Sequence, residues 1–266
     1  MTKEIIGATF MDVHCHIDDE RYDADRDEMI ERLARHGGGA ITIATDLESS
    51  RRSIELSLRY SNVRACVGVY PVGIHERAHE VAQLDALFDG PGGENIVCVG
   101  ECGLDYAQSP TPEEIAEQKR LFLDQCVIAA KRAVPVMIHC REAYADLLEL
   151  VEQAQKELGE SFRFHMHFFA GDIEVARRVV ELGGTMSFTG VITFAAQYDE
   201  VVREVPLDRI MSETDAPYVT PKPHRGTRNE PVYVEHVIAR IAELKGLPLE
   251  VVSAALRANA RRVFGV

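Results

Sequence analysis

The sequence predicts a (β/α)8 barrel of the TIM type, and three observations carry that expectation. Eight short apolar runs, several rich in Val and Ile, recur along the chain. Amphipathic stretches with helical spacing alternate with them, as in parallel sheets covered on both faces. The length, 266 residues, suits one barrel of ~250 residues, so residues 1–266 are expected to form a single domain. A doubly wound open sheet is the competing architecture, but no G-x-G-x-x-G follows the first apolar run.

In chain order the expected strands are Thr9–Cys15, Ala40–Ala44, Arg64–Val69, Ile96–Glu101, Val134–His139, Arg163–Phe168, Thr185–Phe188 and Arg209–Glu213. Helical patterns occupy Arg26–His36, Glu113–Arg132, Tyr144–Leu158 and Ile173–Leu182. The second of these follows Ser109-Pro-Thr-Pro, and proline suits the first turn of a helix because the amide hydrogen it lacks has no partner there. From Val232 onward the pattern reads as two helices that cover the barrel's outside or its base. No low-complexity segment, flexible linker or internal repeat interrupts the chain.

Composition narrows the function. With 46% hydrophobic and 27% charged residues the chain can bury a full core. The formal net charge of -14 repels polyanions on average. Nucleic acid would therefore have to meet a local cationic patch or bound metal. There is no Trp and no basic stripe, which argues against a dedicated nucleic-acid-binding module. The six cysteines lie mostly in apolar runs without a C-x-x-C pair, as expected of buried free thiols in a reducing cytoplasm. The N-terminal segment has no basic-then-apolar signal and no run is long and apolar enough to span a membrane, so a cytoplasmic setting without membrane association is expected.

Side chains alternate across a strand, so His14 and His16 at the end of the first run point the same way. Two adjacent imidazoles can share a transition metal at ~2.0–2.1 Å. Further N and O donors stand at other predicted strand ends, where a barrel delivers residues to its active face. Glu101 ends the fourth run, and a carboxylate there can bridge two cations. His139 ends the fifth, His165 or His167 the sixth, and Glu213 or Asp215 the eighth. Of each pair the later residue lies nearer the barrel mouth.

At this point the residues resemble the TatD family of metal-dependent deoxyribonucleases, one of the amidohydrolase-like barrels. The matching blocks run Asp12–Asp19, Val99–Tyr106, Pro135–Ala143, His167–Gly171, Ser212–Pro221 and His224–Pro231, in the family's order and across essentially the whole chain. The resemblance favours His167 over His165 and Asp215 over Glu213. It implies two divalent ions, Zn, Mn or Mg. One would be held by His14, His16 and Asp215 and the other by His139 and His167, with Glu101 bridging. The implied reaction is 3′–5′ exonuclease-type phosphodiester hydrolysis of DNA, with single strands or 3′ ends as substrate, by a water that the ions activate. Glu101 and Asp215 are then the catalytic carboxylates, with Asp215 orienting or deprotonating the water. Arg141 and Arg225 would contact substrate phosphate. Asn229 and Glu230 would hold the shape of the loop that carries Arg225, while Arg51 and Arg52 are given no role.

One departure stands out. Many family members carry G-x-H-P-H after the third strand, whereas here Tyr70 and Val72 replace both histidines. His75 and His79 do not restore that spacing and are expected at the surface. The competing functions are hydrolysis of a small ester, lactone, amide or phosphotriester by the same metal pair, and a non-catalytic metal-binding scaffold. No obligate protein partner is indicated.

Overall fold

A computed structural model describes residues 4–266, apart from the side chains of Ile74 and His75. Eight parallel strands form one sheet in sequential order: β1 (Phe10–Cys15), β2 (Gly38–Ile43), β3 (Val63–Val67), β4 (Ile96–Asp105), β5 (Val136–Arg141), β6 (Phe164–Met166), β7 (Thr185–Phe188) and β8 (Ile210–Ser212). Among the described residues, nine α-helices lie in the connections and the C-terminus: α1 (Arg26–Arg35), α2 (Leu47–Arg59), α3 (Ile74–Leu87), α4 (Pro112–Lys131), α5 (Tyr144–Leu158), α6 (Ile173–Glu181), α7 (Asp199–Glu204), α8 (Val234–Lys245) and α9 (Leu249–Phe264). The result is a nearly closed barrel, as the alternation predicts.

Local chemistry sets the helix starts. Pro112 opens α4, and the Thr111 side chain accepts the Glu114 amide hydrogen while Glu114 reaches back to Thr111, a reciprocal cap. Asp46 and Ser49 do the same for α2. Almost every strand residue is buried, because helices cover one face and the barrel interior the other. The interior layer, including Met11, Val13, Ile41, Ile43, Val97 and Met137, packs against Ala260, Val263 and Phe264 of α9 and against Val266. The Asn259 amide donates to the carbonyls of Leu207 and Ile210, which ties α9 to the start of β8. Of the two places the sequence leaves open, α9 therefore covers the base.

The seam between β8 and β1 is closed largely by a side chain. Asp12, fully buried, accepts from Thr214 N at 3.0 Å, from His14 N at 3.2 Å and from the Thr214 hydroxyl. Main-chain bonds then carry the two segments together past the strand ends, Asp215 N to His14 O at 2.9 Å and His16 N to Ala216 O at 2.7 Å.

Only β1 and β7 end where expected. β2 stops at Ile43, β3 stops at Val67 and β5 runs on to Arg141, and the ends of β4, β6 and β8 bear most on the site. β4 runs four residues past Glu101, to Asp105, and the register shifts between Val99 and Cys102 before Gly103 pairs with His139. Gly103, at φ 145°, fits there because a Cβ would stand 2.0 Å from the His139 carbonyl oxygen. Glu101 therefore sits at an irregularity inside the strand. β6 stops at Met166 and β8 at Ser212, because carboxylates replace further ladder bonds: Glu213 takes Phe168 N at 2.7 Å, and Asp12 takes Thr214 N.

Candidate metal centre

The six strand-end residues converge at the C-terminal mouth of the barrel. Glu101 lies between them with its two oxygens turned to different partners. Oε1 is 2.9 Å from His139 Nδ1 and 2.8 Å from His167 Nε2. Oε2 is 3.6 Å from His14 Nε2 and 3.9 Å from His16 Nε2. Asp215 Oδ1 closes the second side, 3.7 Å from His14 and 3.4 Å from His16. Thus His14, His16 and Glu101 form one group of converging donors, and Glu101, His139 and His167 form another. His14, His167 and Glu213 make a third combination.

The members of the two ambiguous pairs are placed differently. His165 is fully buried below the mouth, 2.9 Å from Thr185 Oγ1 and 2.8 Å from Ser187 Oγ, so its ring nitrogens already have partners. Glu213 is bonded to Phe168 N and to the Ser187 hydroxyl and stands 3.5 Å from His167 Nδ1. Asp215, by contrast, faces His14 and His16 directly.

The donor set fits divalent metal. Both ring nitrogens of His14 and Nδ1 of His167 are buried without a hydrogen-bond partner. Buried polar atoms left bare cost free energy, on the order of 1–3 kcal/mol each, unless something else pairs with them. The His14 and His167 rings stack with centroids 3.8 Å apart, and His16 Nδ1 is fixed at 2.9 Å from Ile43 O, which leaves Nε2 turned to the carboxylates. Burial opposes every charge here, but attraction overcomes it for several members. The His167, His139 and His14 imidazoles hold Glu101 well below the usual carboxylate range, and Glu101 with Glu213 holds His167 well above the usual imidazole range. Asp215 and Glu101 likewise lift His16 to about 9 against its burial. Burial and the neighbouring His167 push His14 down, leaving a neutral imidazole suited to a ligand.

Above the donors opens a cleft of ≈ 1510 Å³. Arg141, exposed at the end of β5, lines it and makes no side-chain hydrogen bond or ion pair among the described residues. Arg225 does not line the cleft; it is exposed, its guanidinium 3.7 Å from the centroid of the Phe194 ring. Arg52 does line it, bound to Asp18 at 3.3 Å and Glu48 at 2.6 Å, while Arg51 is exposed and outside it. Asn229 donates to the carbonyls of Thr214 and Tyr218, and Glu230 pairs with Arg32, so both residues hold the loop after β8. His79 is exposed, and the His75 side chain lies outside the described residues.

Sequence reasoning missed four contributors. Tyr70 Oη is 3.0 Å from His139 Nε2, so the replacement of the family histidine still contacts the site. Asp105 Oδ2 is 2.9 Å from the same nitrogen. Arg77 lines the cleft with only a 3.4 Å bond to Thr45 O, and Tyr218, 46% exposed, places its ring at the mouth. The period-two spacing of Glu101, Gly103 and Asp105 is the signal that points to Asp105, once β4 is allowed to continue.

The sequence model of the family described as TatD related DNase matches residues 11–265. The metal-dependent hydrolase YabD of Bacillus subtilis, named as uncharacterized, is 36% identical over 96% of this chain and 98% of its own length. The 3′–5′ ssDNA/RNA exonuclease TatD of Cronobacter turicensis is 34% identical over 95% and 97%, respectively. The crystal structure of YJJV, a TatD homologue from Escherichia coli K12, superposes with a TM-score of 0.88 at 27% identity, covering 98% of this chain and 100% of that one.

Proposed function

This chain belongs to the TatD related DNase family of metal-dependent hydrolases, and from that premise we propose that it is a two-ion phosphodiesterase removing nucleotides from 3′ ends of single-stranded nucleic acid. The observation that carries the proposal is the division of Glu101 between two imidazole pairs, one oxygen to each. In this reading His14, His16 and Asp215 would hold one ion and His139 and His167 the other, with Glu101 available to both. Zn, Mn and Mg all suit such a mixed N and O set. When bound, such ions supply Lewis acidity that lowers the pKa of water and offsets charge on phosphoryl oxygens.

The chain's own residues do the rest. Asp215 stands at the mouth where its carboxylate can take the proton of an attacking water. Arg141 and Arg77 are the cations we assign to substrate phosphate, because neither is tied to a carboxylate by an ion pair among the described residues. Arg225, outside the cleft lining, receives no substrate contact. Tyr218 and Phe168 give bases aromatic faces on which to stack without sequence readout. The cleft exceeds the ~300–1,000 Å³ of sites for drug-sized ligands, which favours a polymer over a small ester or lactone. We take residues 1–266 as one catalytic domain acting in the cytoplasm; the six buried, unpaired cysteines are in keeping with that setting. Among the described residues no helix is long and apolar enough to cross a membrane.

The test is a panel of end-labelled single-stranded DNA, duplex DNA, a p-nitrophenyl ester and a simple lactone, each incubated with and without chelator. Stepwise shortening of the single strand from its 3′ end, stopped by chelator, is the expected result. Turnover confined to the ester or lactone would overturn the assignment of substrate.

A further inference from the structure

We propose that Tyr70 and Asp105 are positioning residues for His139, fixing its ring so that a bare Nδ1 faces Glu101 and His167. The proposal deepens the two-ion reading above and rests on it.

His139 Nε2 lies 2.9 Å from Asp105 Oδ2 and 3.0 Å from Tyr70 Oη, and Tyr70 Oη is 3.1 Å from that same carboxylate oxygen. An ionised carboxylate only accepts, so the imidazole donates from Nε2 and the phenol donates its own hydrogen to the one oxygen. The other oxygen, Oδ1, is taken by Ala107 N at 3.0 Å, which holds the carboxylate with Oδ2 toward the ring. With its hydrogen on Nε2, a neutral His139 carries its lone pair on Nδ1. That atom is 2.9 Å from Glu101 Oε1 and 3.2 Å from His167 Nε2. Three donor atoms then face a common point suited to a cation, and a carboxylate on the far nitrogen is what orients a metal-binding imidazole.

The backbone behind the pair is held by two buried glutamines of α4, seven residues apart and so on one face of the helix. Gln118 accepts Asp105 N at 2.9 Å and donates to Asp105 O at 3.2 Å. Gln125 accepts Val69 N at 2.8 Å and donates to Val69 O at 3.1 Å, next to Tyr70 in the chain. One helix thereby sets the main chain at Asp105 and immediately before Tyr70, from outside the barrel.

Chelator-stripped wild type, D105N and Y70F are titrated calorimetrically with Zn2+, and histidine side-chain NMR of the loaded proteins reads which nitrogen of His139 carries hydrogen. Wild type is expected to bind two ions with the hydrogen on Nε2. D105N, whose amide can present N–H to the ring instead, should weaken one of the two sites about 10–100-fold and leave the other unchanged. Y70F should weaken the same site by a smaller factor. Unchanged thermal midpoints of the metal-free variants separate this from loss of fold, and Y70F carries the test if D105N does not fold. Wild-type affinity at both sites in both variants, or a His139 hydrogen on Nδ1 in wild type, overturns the positioning role. Failure of unsubstituted protein to bind two ions overturns the centre itself, a result visible before any variant is measured.

Discussion

Glu101 has two oxygens, and the fold gives each of them a different pair of imidazoles. Glu101→Ala removes the one group that, among the described residues, both of these donor sets share, so metal-dependent kcat/KM should fall by at least ~10²–10³, the scale of losing a preorganised electrostatic group. The far-UV circular dichroism should stay that of a folded barrel, because the residue belongs to the polar mouth and not to the apolar core. Arg141 is proposed to act on substrate phosphate instead. Replacing it with Ala should weaken binding of single-stranded DNA and reduce the slope of log affinity against log salt by about 0.7, one phosphate contact. A slope unchanged across that substitution contradicts its assignment. That the six donor residues would gather at one end of the barrel was expected because each falls beside an apolar run, where chain direction points to the mouth. The preference for His167 and Asp215 over their neighbours, however, drew on the family resemblance. Tyr70 and Asp105 were harder to read. Asp105 shows in the period-two spacing only once β4 is allowed to run past Glu101, and the contact of Tyr70, beyond the end of β3, with His139 of β5 has no local signal in the sequence.

The elements that hold this chemistry are β4 and α4. β4 carries Glu101 and Asp105 on alternate positions and lets β5 approach at Gly103. Gly103→Ala should destabilise the protein by about 1–3 kcal/mol through overpacking, read as a lower urea midpoint, with metal affinity falling alongside as His139 is displaced. Gln125→Ala would leave the amide hydrogen and carbonyl of Val69 without their side-chain partner. A loss of about 1–3 kcal/mol is expected there too, with a smaller effect on metal binding. The alternation of elements was readable from apolar periodicity. The ends of β4, β6 and β8 were not. How far each continues is decided by a register shift against β5 or by the carboxylates of Asp12 and Glu213, and hydrophobic patterning carries neither.

Across the molecule, stability and chemistry sit at opposite ends of the barrel. α9 and the C-terminal residues close the base, and the donors ring the mouth. Phe264→Ala should therefore cost about 3–5 kcal/mol, seen as a lower thermal midpoint, while the protein that remains folded keeps its activity. On the proposed reading the same separation would reconcile a net charge of -14 with an anionic substrate, since Arg77 and Arg141, which make no ion pair among the described residues, line the cleft. Composition gave the repulsion, and the fold was needed to find the cations that oppose it locally.

The most direct measurement is the number of divalent ions bound per chain after chelator-stripped protein is reloaded with Zn2+ or Mn2+, for wild type beside Glu101→Ala. Two ions in wild type and fewer than two in the variant are the expected result. A single ion in wild type, or two bound with unchanged affinity when Glu101 is absent, would contradict a centre built around that shared carboxylate.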